Sequence, residues 1–294
     1  MEWRDNLHGG VLMVFAMAGF AVEDYFIKLL SDAMPVGQLL AMLGTAGALI
    51  FGISAQVQGQ SAFSRVAFSK PVMLRNVGEL IAAVGYVTAI ALTSLSSAAA
   101  ILQATPLAVT LGAALFMGAA VGWRRWAAIL IGFMGVLMII RPGLEGFEPA
   151  SLWAVMGVVG LAIRDLATRA APANVSTMQM SCYAFAIMLP TGLLMLTLSG
   201  GAVTPEPRDW AILGGAMVFG VVGYYAIVGA MRIGDVAVVT PFRYSRLIFA
   251  LLLGMLLLGE RPDDWTLIGA AVIIASGLYT FVRERRLARR QKTG

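Results

Sequence analysis

The chain has 294 residues, of which 59% are hydrophobic and only 13% are charged, and its mean hydropathy is +0.83. So few polar side chains cannot cover a water-soluble surface, which excludes a soluble protein and indicates a chain solvated by lipid. The net charge of +5 does not indicate nucleic-acid binding, because the basic residues are scattered singly until the last dozen positions. The apolar runs are too long for barrel strands, so we predict an all-α integral membrane protein.

Ten transmembrane helices are predicted from the uncharged runs. The first run follows the N-terminus directly and contains Glu23 and Asp24, which is unlike a cleaved signal sequence. The run from Leu80 to Trp123 is long enough for two helices, divided near Ser94 to Ser97. The predicted helices cover 8–30, 36–57, 72–92, 97–119, 124–141, 151–170, 176–198, 210–231, 236–258 and 264–283.

The distribution of basic residues predicts the orientation of these helices. Ten spans place both termini on one side, where fourteen lysines and arginines fall, whereas the opposite loops hold only Arg141, Arg208 and Arg261. Because lysine and arginine accumulate in cytoplasmic loops, we expect both termini to be cytoplasmic. The basic tail, 284–294, is then expected to lie against anionic lipid.

An internal repeat becomes visible when the chain is shifted against itself by 137 to 139 residues. The shift aligns Pro35 with Pro172, Val84-Gly85-Tyr86 with Val222-Gly223-Tyr224, Gly122 with Gly259, and Ile131-Gly132 with Ile268-Gly269. We therefore predict two five-helix units, 1–141 and 151–283. Because five is odd, the second unit enters the membrane from the opposite side, which is the inverted arrangement of many secondary transporters.

The junction between the last two predicted helices carries a family signature. The segment from Leu256 to Pro262, with Gly259 and Glu260 at its centre, and the following Ile268 to Ile274 resemble the drug/metabolite transporter superfamily in its EamA-type branch. In the first half Trp123 replaces the glutamate, so the role of this motif cannot be symmetric. Glu260 falls at an external helix boundary, and we interpret it as structural.

The resemblance extends over essentially the whole chain and implies a function. Within the branch, the chain is similar to bacterial amino-acid exporters, most nearly those of aromatic amino acids. This implies export of amino acids and related metabolites across a bacterial inner (plasma) membrane, from a central cavity between the two halves. We expect no cofactor and no obligatory protein partner.

Ionisable residues within the predicted helices are the first candidates for a site, because charge in a membrane is expensive. Asp24 and Lys28 are four residues apart on the first helix, and Asp165 and Arg169 repeat this spacing on the sixth. These two pairs are expected either to act as gates or to be simple ion pairs at the membrane interface.

A second set of residues is expected to bind substrate. Glu79 and Tyr86 are seven apart on one helix face, and Arg243 and Arg246 follow the helix-disturbing Pro241. An arginine inside a bundle suits a carboxylate, although a structural bridge from Glu79 to one of these arginines is an alternative. The expected substrate-binding residues are Glu79, Tyr86, Gln103, Tyr224, Tyr225, Arg243, Tyr244 and Arg246.

Three other functions compete with amino-acid export. An enzyme is disfavoured because His8 and Cys182 are the only histidine and cysteine, and the sequence contains no metalloprotease, hydrolase or P-loop motif. A passive metabolite facilitator on the same fold remains open. A flippase or an exporter of quaternary-ammonium drugs also remains open, and there Glu79 would be essential. Coupling to protons through Glu79 or Asp24, or to the substrate gradient alone, is undecided.

Overall fold

A computed structural model describes residues 3–61, 64–118, 122–144, 146–172, 175–234 and 236–293, with side chains except at 3, 169, 232, 236, 237 and 284–293. Over these ranges the chain forms helices and no strand. The helices are α1 (Trp3–Ala33), α2 (Val36–Val57), α3 (Lys70–Leu92), α4 (Leu95–Leu102), α5 (Thr105–Phe116), α6 (Trp123–Ile140), α7 (Ser151–Arg169), α8 (Thr177–Ser199), α9 (Pro207–Ile233), α10 (Val236–Val239), α11 (Ser245–Leu257) and α12 (Asp264–Thr293).

Ten segments of these described ranges are long and apolar enough to cross a membrane. Eight of them are the single long helices, and the remaining two are the composite segments Leu95–Phe116 and Thr240–Leu257. The all-α fold class and the number of spans are therefore confirmed. The last helix is longer than predicted: the predicted span ends at residue 283, whereas α12 continues to Thr293. No glycine or proline interrupts its basic final turns, and arginine, lysine, glutamine and alanine favour helix.

Local sequence explains where several helices begin and end. Pro71 and Pro207 occupy the first turns of α3 and α9, where the missing amide hydrogen is not needed. Ser176 opens α8 by accepting a hydrogen bond from the Gln179 amide, and the Gln179 side chain accepts one from the Ser176 amide. Gly200 ends α8 at a φ of 94°, a left-handed conformation that suits glycine.

The fourth and ninth spans are both broken helices. The fourth divides into α4 and α5 at Gln103 and Ala104, just before Pro106. The ninth begins as the 3-10 helix Thr240–Tyr244, which contains Pro241, and continues as α11. Both were predicted as continuous helices. Each proline lacks an amide donor and so interrupts the helical hydrogen bonds, and the two breaks occupy equivalent spans of the two halves.

Helices of the first half pack mainly against helices of the second half. The close pairs are α1 with α9, α2 with α8, α3 with α7, and α6 with α12, while α4 contacts α11. Exchanging corresponding spans of the halves converts the α1–α9 pair into the α7–α3 pair and leaves the other pairs unchanged. This is the pattern that an internal two-fold axis produces, and it supports the inverted repeat.

The α3–α7 crossing is close because glycines meet there. A Cβ atom at Gly85 would stand 2.6 Å from the backbone nitrogen of Gly157, and one at Gly78 would stand 2.6 Å from that of Arg164. Neither position can hold a larger side chain without moving the backbone. Small residues allow this approach in membranes, where van der Waals packing between helices replaces the hydrophobic effect.

On the side opposite the termini, polar side chains connect the ends of helices. The Lys28 ammonium group donates to the carbonyl oxygens of Ile90 at 2.9 Å and Thr93 at 3.0 Å, which joins α1 to the end of α3. The guanidinium group of Arg141 pairs with Asp263, which joins α6 to α12. Partial burial alone would raise the pKa of Asp263, but hydrogen bonds from Thr266 and Arg141 outweigh burial and hold that pKa below its ordinary value.

Glu260 caps the start of α4. Its Oε1 accepts from the Leu95 amide at 2.6 Å, and its Oε2 accepts from the Ser96 amide at 3.0 Å and the Ser96 hydroxyl at 2.5 Å. The carboxylate thus satisfies amide groups that a helix leaves unpaired and sits at the positive end of the helix dipole. This geometry agrees with the structural role expected for Glu260.

We expect Glu260→Gln to lower the free energy of unfolding by about 1 kcal/mol, because an amide places a donor against donors. The measurement is thermal unfolding of the purified protein in detergent. Glu148→Gln, which changes an exposed loop glutamate, is the matched control. Equal melting temperatures for the two variants would contradict the capping role.

Candidate functional site

Buried charge within the membrane spans is concentrated in two clusters. The Asp24 cluster consists of Asp24, Tyr86 and Arg246, and the Glu79 cluster consists of Arg75, Glu79, Arg164 and Asp165. Tyr86 lies seven residues beyond Glu79 on α3, which separates the clusters by about 10 Å along the helix. The Glu79 cluster is nearer the terminal side of the membrane.

The Asp24 cluster joins three helices. The Arg246 guanidinium group on α11 donates through Nε at 3.0 Å to Oδ2 of Asp24 on α1 and through Nη2 at 2.7 Å to Oδ1. The Tyr86 hydroxyl on α3 donates to the same carboxylate at 3.0 Å. Arg246 also lies over the rings of Phe20, at 5.4 Å, and Tyr86, at 5.5 Å. This two-pronged pair with aromatic walls fixes the guanidinium in one orientation.

The Glu79 cluster joins α3 and α7. The Glu79 carboxylate lies 3.4 Å from the Arg164 guanidinium and 3.6 Å from that of Arg75. Arg164 also pairs with its neighbour Asp165 at 2.8 Å, and Arg75 donates to the carbonyl oxygen of Met180 on α8 at 2.8 Å. Two cations and two anions therefore balance each other across the two halves.

Arg243 lies within electrostatic range of both clusters. It belongs to the short helix Thr240–Tyr244 at the start of the ninth span, and its charge interacts with Asp165, Arg164 and Arg246. In the part of the chain that the structure describes, it has neither a hydrogen bond nor a direct ion pair. Arg243 is therefore a half-buried cation without its own counter-ion.

Two of the predicted tyrosines, Tyr224 and Tyr225, lie beside each other. Tyr224 packs against Phe51 with ring centres 4.9 Å apart and accepts from the Ser181 hydroxyl at 3.2 Å. Tyr225 is 45% exposed and donates to the Ser54 hydroxyl. Tyr224 and Tyr225 thus lie in the α2–α8–α9 region, apart from the Asp24 cluster.

Two further predicted residues occupy the helix breaks. Tyr244 is buried with its hydroxyl against Gly277 of α12. Gln103 is buried at the break between α4 and α5. Both residues therefore lie where helical hydrogen bonding is interrupted. Neither belongs to the Asp24 cluster or to the Glu79 cluster.

Of the two expected gating pairs, Asp24–Lys28 is not formed, and Asp165–Arg169 involves a side chain outside the described residues. Lys28 binds the carbonyl groups that end α3, and Asp24 takes Arg246 as its partner instead. Asp165 pairs with Arg164, and the Arg169 side chain lies outside the described residues. Glu79 likewise pairs with Arg75 and Arg164 rather than with an arginine of the ninth span.

Family comparison identifies the chain. The model of the EamA-like transporter family matches residues 7–141 and again residues 149–282. The chain belongs to the EamA-like transporter family. A multi-pass membrane transporter therefore accounts for the spans and for the polar residues between the two halves.

Curated relatives of this EamA-like protein carry different cargoes. The riboflavin transporter of Vibrio cholerae is 31% identical over 193 residues, which cover 66% of this chain and 64% of that protein. The S-adenosylmethionine uptake transporter of Rickettsia conorii is 25% identical over 63% of each chain. The pseudopaline exporter CntI of Pseudomonas aeruginosa is 26% identical over 92% of this chain and 95% of the relative. The first two matches thus span less than two thirds of those relatives' lengths.

A solved crystal structure has the same fold. It superposes on the EamA-like chain with a TM-score of 0.61 at 20% identity and covers 98% of this chain and 99% of the other. At this identity the likeness concerns the fold alone.

Sequence reasoning missed two arginines of the Glu79 cluster. Arg75 is one of the fourteen basic residues assigned above to the side of the termini, yet it is buried on α3, and Arg164 is not among the predicted site residues. Two local signals were present: Arg75 precedes Glu79 by four residues, and Arg164 adjoins Asp165. The long-range Glu79–Arg164 contact had no comparable signal.

Breaking the Asp24–Arg246 pair is expected to destabilise this EamA-like protein strongly. Asp24→Leu leaves Arg246 buried without a counter-ion, and the free energy of unfolding should fall by about 3–5 kcal/mol. The Asp24→Leu/Arg246→Leu double variant should lose less than Asp24→Leu alone, because it leaves no unpaired charge.

Thermal unfolding in detergent measures this difference. Asp32→Asn, an exposed aspartate at the end of α1, is the control and should leave the melting temperature unchanged. A double variant less stable than Asp24→Leu would contradict the pairing.

Proposed function

We propose that this chain is a secondary transporter that exports amino acids, aromatic and neutral ones foremost, and related small metabolites across a bacterial inner membrane by alternating access. Both termini face the cytoplasm in this proposal. It builds on membership of a transporter family and adds a class of substrate, a direction and a mechanism.

The observation that carries the substrate class is the unpaired Arg243. The cations of the two clusters are balanced by carboxylates, whereas Arg243 has no carboxylate partner among the described residues. A guanidinium group binds a carboxylate through two parallel hydrogen bonds, and in a low-dielectric site such a pair is strong. The α-carboxylate of an amino acid is a ligand of this kind.

Alternating access is supported by how the halves pack. The helix pairs keep their pattern when the halves are exchanged, so a state open to the other side is expected to have similar energy. Both broken spans lie in equivalent positions, and broken helices surround the substrate sites of many secondary transporters. On the side opposite the termini, Lys28 bonds to the end of α3 and Glu260 bonds to the start of α4. A change to the other state would have to break these hydrogen bonds.

The cargoes of the relatives are compatible with this proposal without selecting it. S-adenosylmethionine, named for the Rickettsia relative, is an amino-acid derivative with a carboxylate. Riboflavin, named for the Vibrio relative, is a different class of molecule. The substrate argument therefore depends on Arg243 and not on the names of the relatives.

A transporter of quaternary-ammonium cations is the second candidate. It would require a free carboxylate, whereas Asp24, Glu79 and Asp165 are each paired with an arginine. Glu23 is the in-span carboxylate that favours this candidate, because it has no such partner among the described residues. Direct comparison of the two ligand classes separates the candidates.

Counterflow in proteoliposomes is the experiment that tests the proposed function. Vesicles containing the purified protein are loaded with unlabelled phenylalanine, and labelled phenylalanine, threonine, methionine, lysine or tetraphenylphosphonium is added outside. We expect saturable exchange of phenylalanine and of neutral amino acids. Exchange of the phosphonium cation alone would replace this proposal with the second candidate.

Arg243→Gln should raise the half-saturation concentration for phenylalanine at least about tenfold, because it removes the charge that binds the carboxylate. Arg208→Gln, which changes an exposed arginine on the opposite side of the membrane, is the matched control. We also expect Glu79→Gln to reduce transport, since Arg164 and Arg75 would lose their shared anion. Unchanged exchange in both Arg243→Gln and Glu79→Gln would refute the site assignment.

The proposed orientation is tested by labelling single cysteines. In a Cys182→Ser background, a cysteine at Gly201 lies in the exposed loop between α8 and α9. A membrane-impermeant maleimide added to intact cells should label Gly201→Cys and should not label a cysteine at Gln58, on the side of the termini. The reverse pattern would place the termini outside.

A further inference from the structure

Glu23 is a titratable group that the site described so far does not use. It lies on α1 beside Asp24, within a segment that is long and apolar enough to span the membrane. Among the residues with described side chains it takes part in no hydrogen bond and no ion pair. Its charge interacts at longer range with Asp24 and Arg246. Arg243 interacts with the charge of Arg246 as well, so Glu23 and the unpaired Arg243 both lie within electrostatic range of Arg246.

The Glu23 carboxyl group lies at the contact between α1 and α9. It is so close to Gly220 that a Cβ atom there would stand 2.6 Å from Oε1. Helix α9 has no ionisable side chain between Asp209 and Tyr224. Glycine therefore makes room for the carboxyl group, but α9 provides no charge to balance it.

The other elements packed against α1 contribute few ionisable groups near Glu23. Tyr86 comes from α3, Arg246 from α11, and Arg243 and Tyr244 from the short helix that precedes α11. Helices α2, α4 and α10 have no ionisable side chain. Arg246 is already bound by Asp24 at 2.7 Å, so the carboxyl group of Glu23 has no guanidinium group of its own.

An unpaired carboxylate within a membrane span is costly, because lipid cannot solvate its charge. Two events remove this cost. The carboxylate binds a proton, or it pairs with a cationic group that enters the site. An amino acid brings such a group, because its ammonium is positive while its carboxylate is negative.

We propose that Glu23 binds the substrate ammonium group when the site is loaded and a proton when the site is empty, so that one amino acid is exchanged for one proton. This inference rests on the proposed function and adds the energy source to it. Arg243 and Glu23 then take the two ends of a zwitterion. When the site is open to the outside, a proton adds to a carboxylate oxygen of Glu23. When the site is open to the cytoplasm, the proton leaves that oxygen and the ammonium group of the substrate takes its place.

Competition between proton and substrate has a measurable consequence. As the pH falls through the range where Glu23 titrates, the half-saturation concentration for phenylalanine in counterflow should rise, by up to about tenfold per pH unit. In Glu23→Gln this pH dependence should be absent, although exchange at a single pH continues with weaker affinity. Glu23→Asp keeps a carboxyl group and should keep the pH dependence. A half-saturation concentration that falls with falling pH would overturn the proposal.

A proton gradient tests the coupling itself. Vesicles at internal pH 6.0 and external pH 7.5 should accumulate labelled phenylalanine above the external concentration with the wild-type protein and not with Glu23→Gln. Glu148→Gln, on an exposed loop, is the matched control and should accumulate substrate like the wild type. Thermal unfolding of each variant confirms that it is folded.

The outcomes separate the two proposals. Wild-type protein without any counterflow of amino acids contradicts the proposed function. Wild-type protein with counterflow but no accumulation under the proton gradient contradicts proton exchange alone. Accumulation that persists in Glu23→Gln shows that another group carries the proton.

Discussion

Charge that is buried within the membrane spans has to be balanced locally, and this requirement joins the two halves of the protein. An unpaired charge inside a bilayer costs several kcal/mol, so each buried carboxylate favours the conformation that brings a cation to it. Here Arg246 of the second half pairs with Asp24 of the first, and Arg164 of the second half pairs with Glu79 of the first. The ion pairs therefore hold the halves in register as well as neutralising charge.

The same crossing that brings charges together depends on small residues. Gly78 lets the backbone of α7 approach α3 at Arg164, and Glu79 follows Gly78 directly in the sequence. A larger residue at position 78 would separate the helices and lengthen the Glu79–Arg164 contact of 3.4 Å. Close packing and ion pairing thus stabilise the same α3–α7 crossing. A conformational change that separates these helices has to break the glycine contact and the ion pair together.

Helix positions could be predicted from the sequence far better than side-chain partners. Hydropathy is a local property, so the ten spans follow from it, and even the two breaks had a local signal in Pro106 and Pro241. Partnership is not local, since Asp24 and Arg246 are 222 residues apart. The four-residue spacing of Asp24 and Lys28 suggested a pair within one helix. Tertiary packing instead gave each residue a stronger partner on another helix.

Arg243 and Glu23 have no ion-pair partner among the described side chains, and in our proposal they define what kind of ligand balances the site. Arg243 alone would be neutralised by an anion, and Glu23 alone by a cation or a proton. Both are half-buried, so neither is fully solvated when the site is empty, and a ligand with charges of both signs relieves both at once. A purely anionic ligand would need Glu23 to stay protonated, and a purely cationic one would leave Arg243 unbalanced. The charges of the spans therefore favour a zwitterion over either alternative.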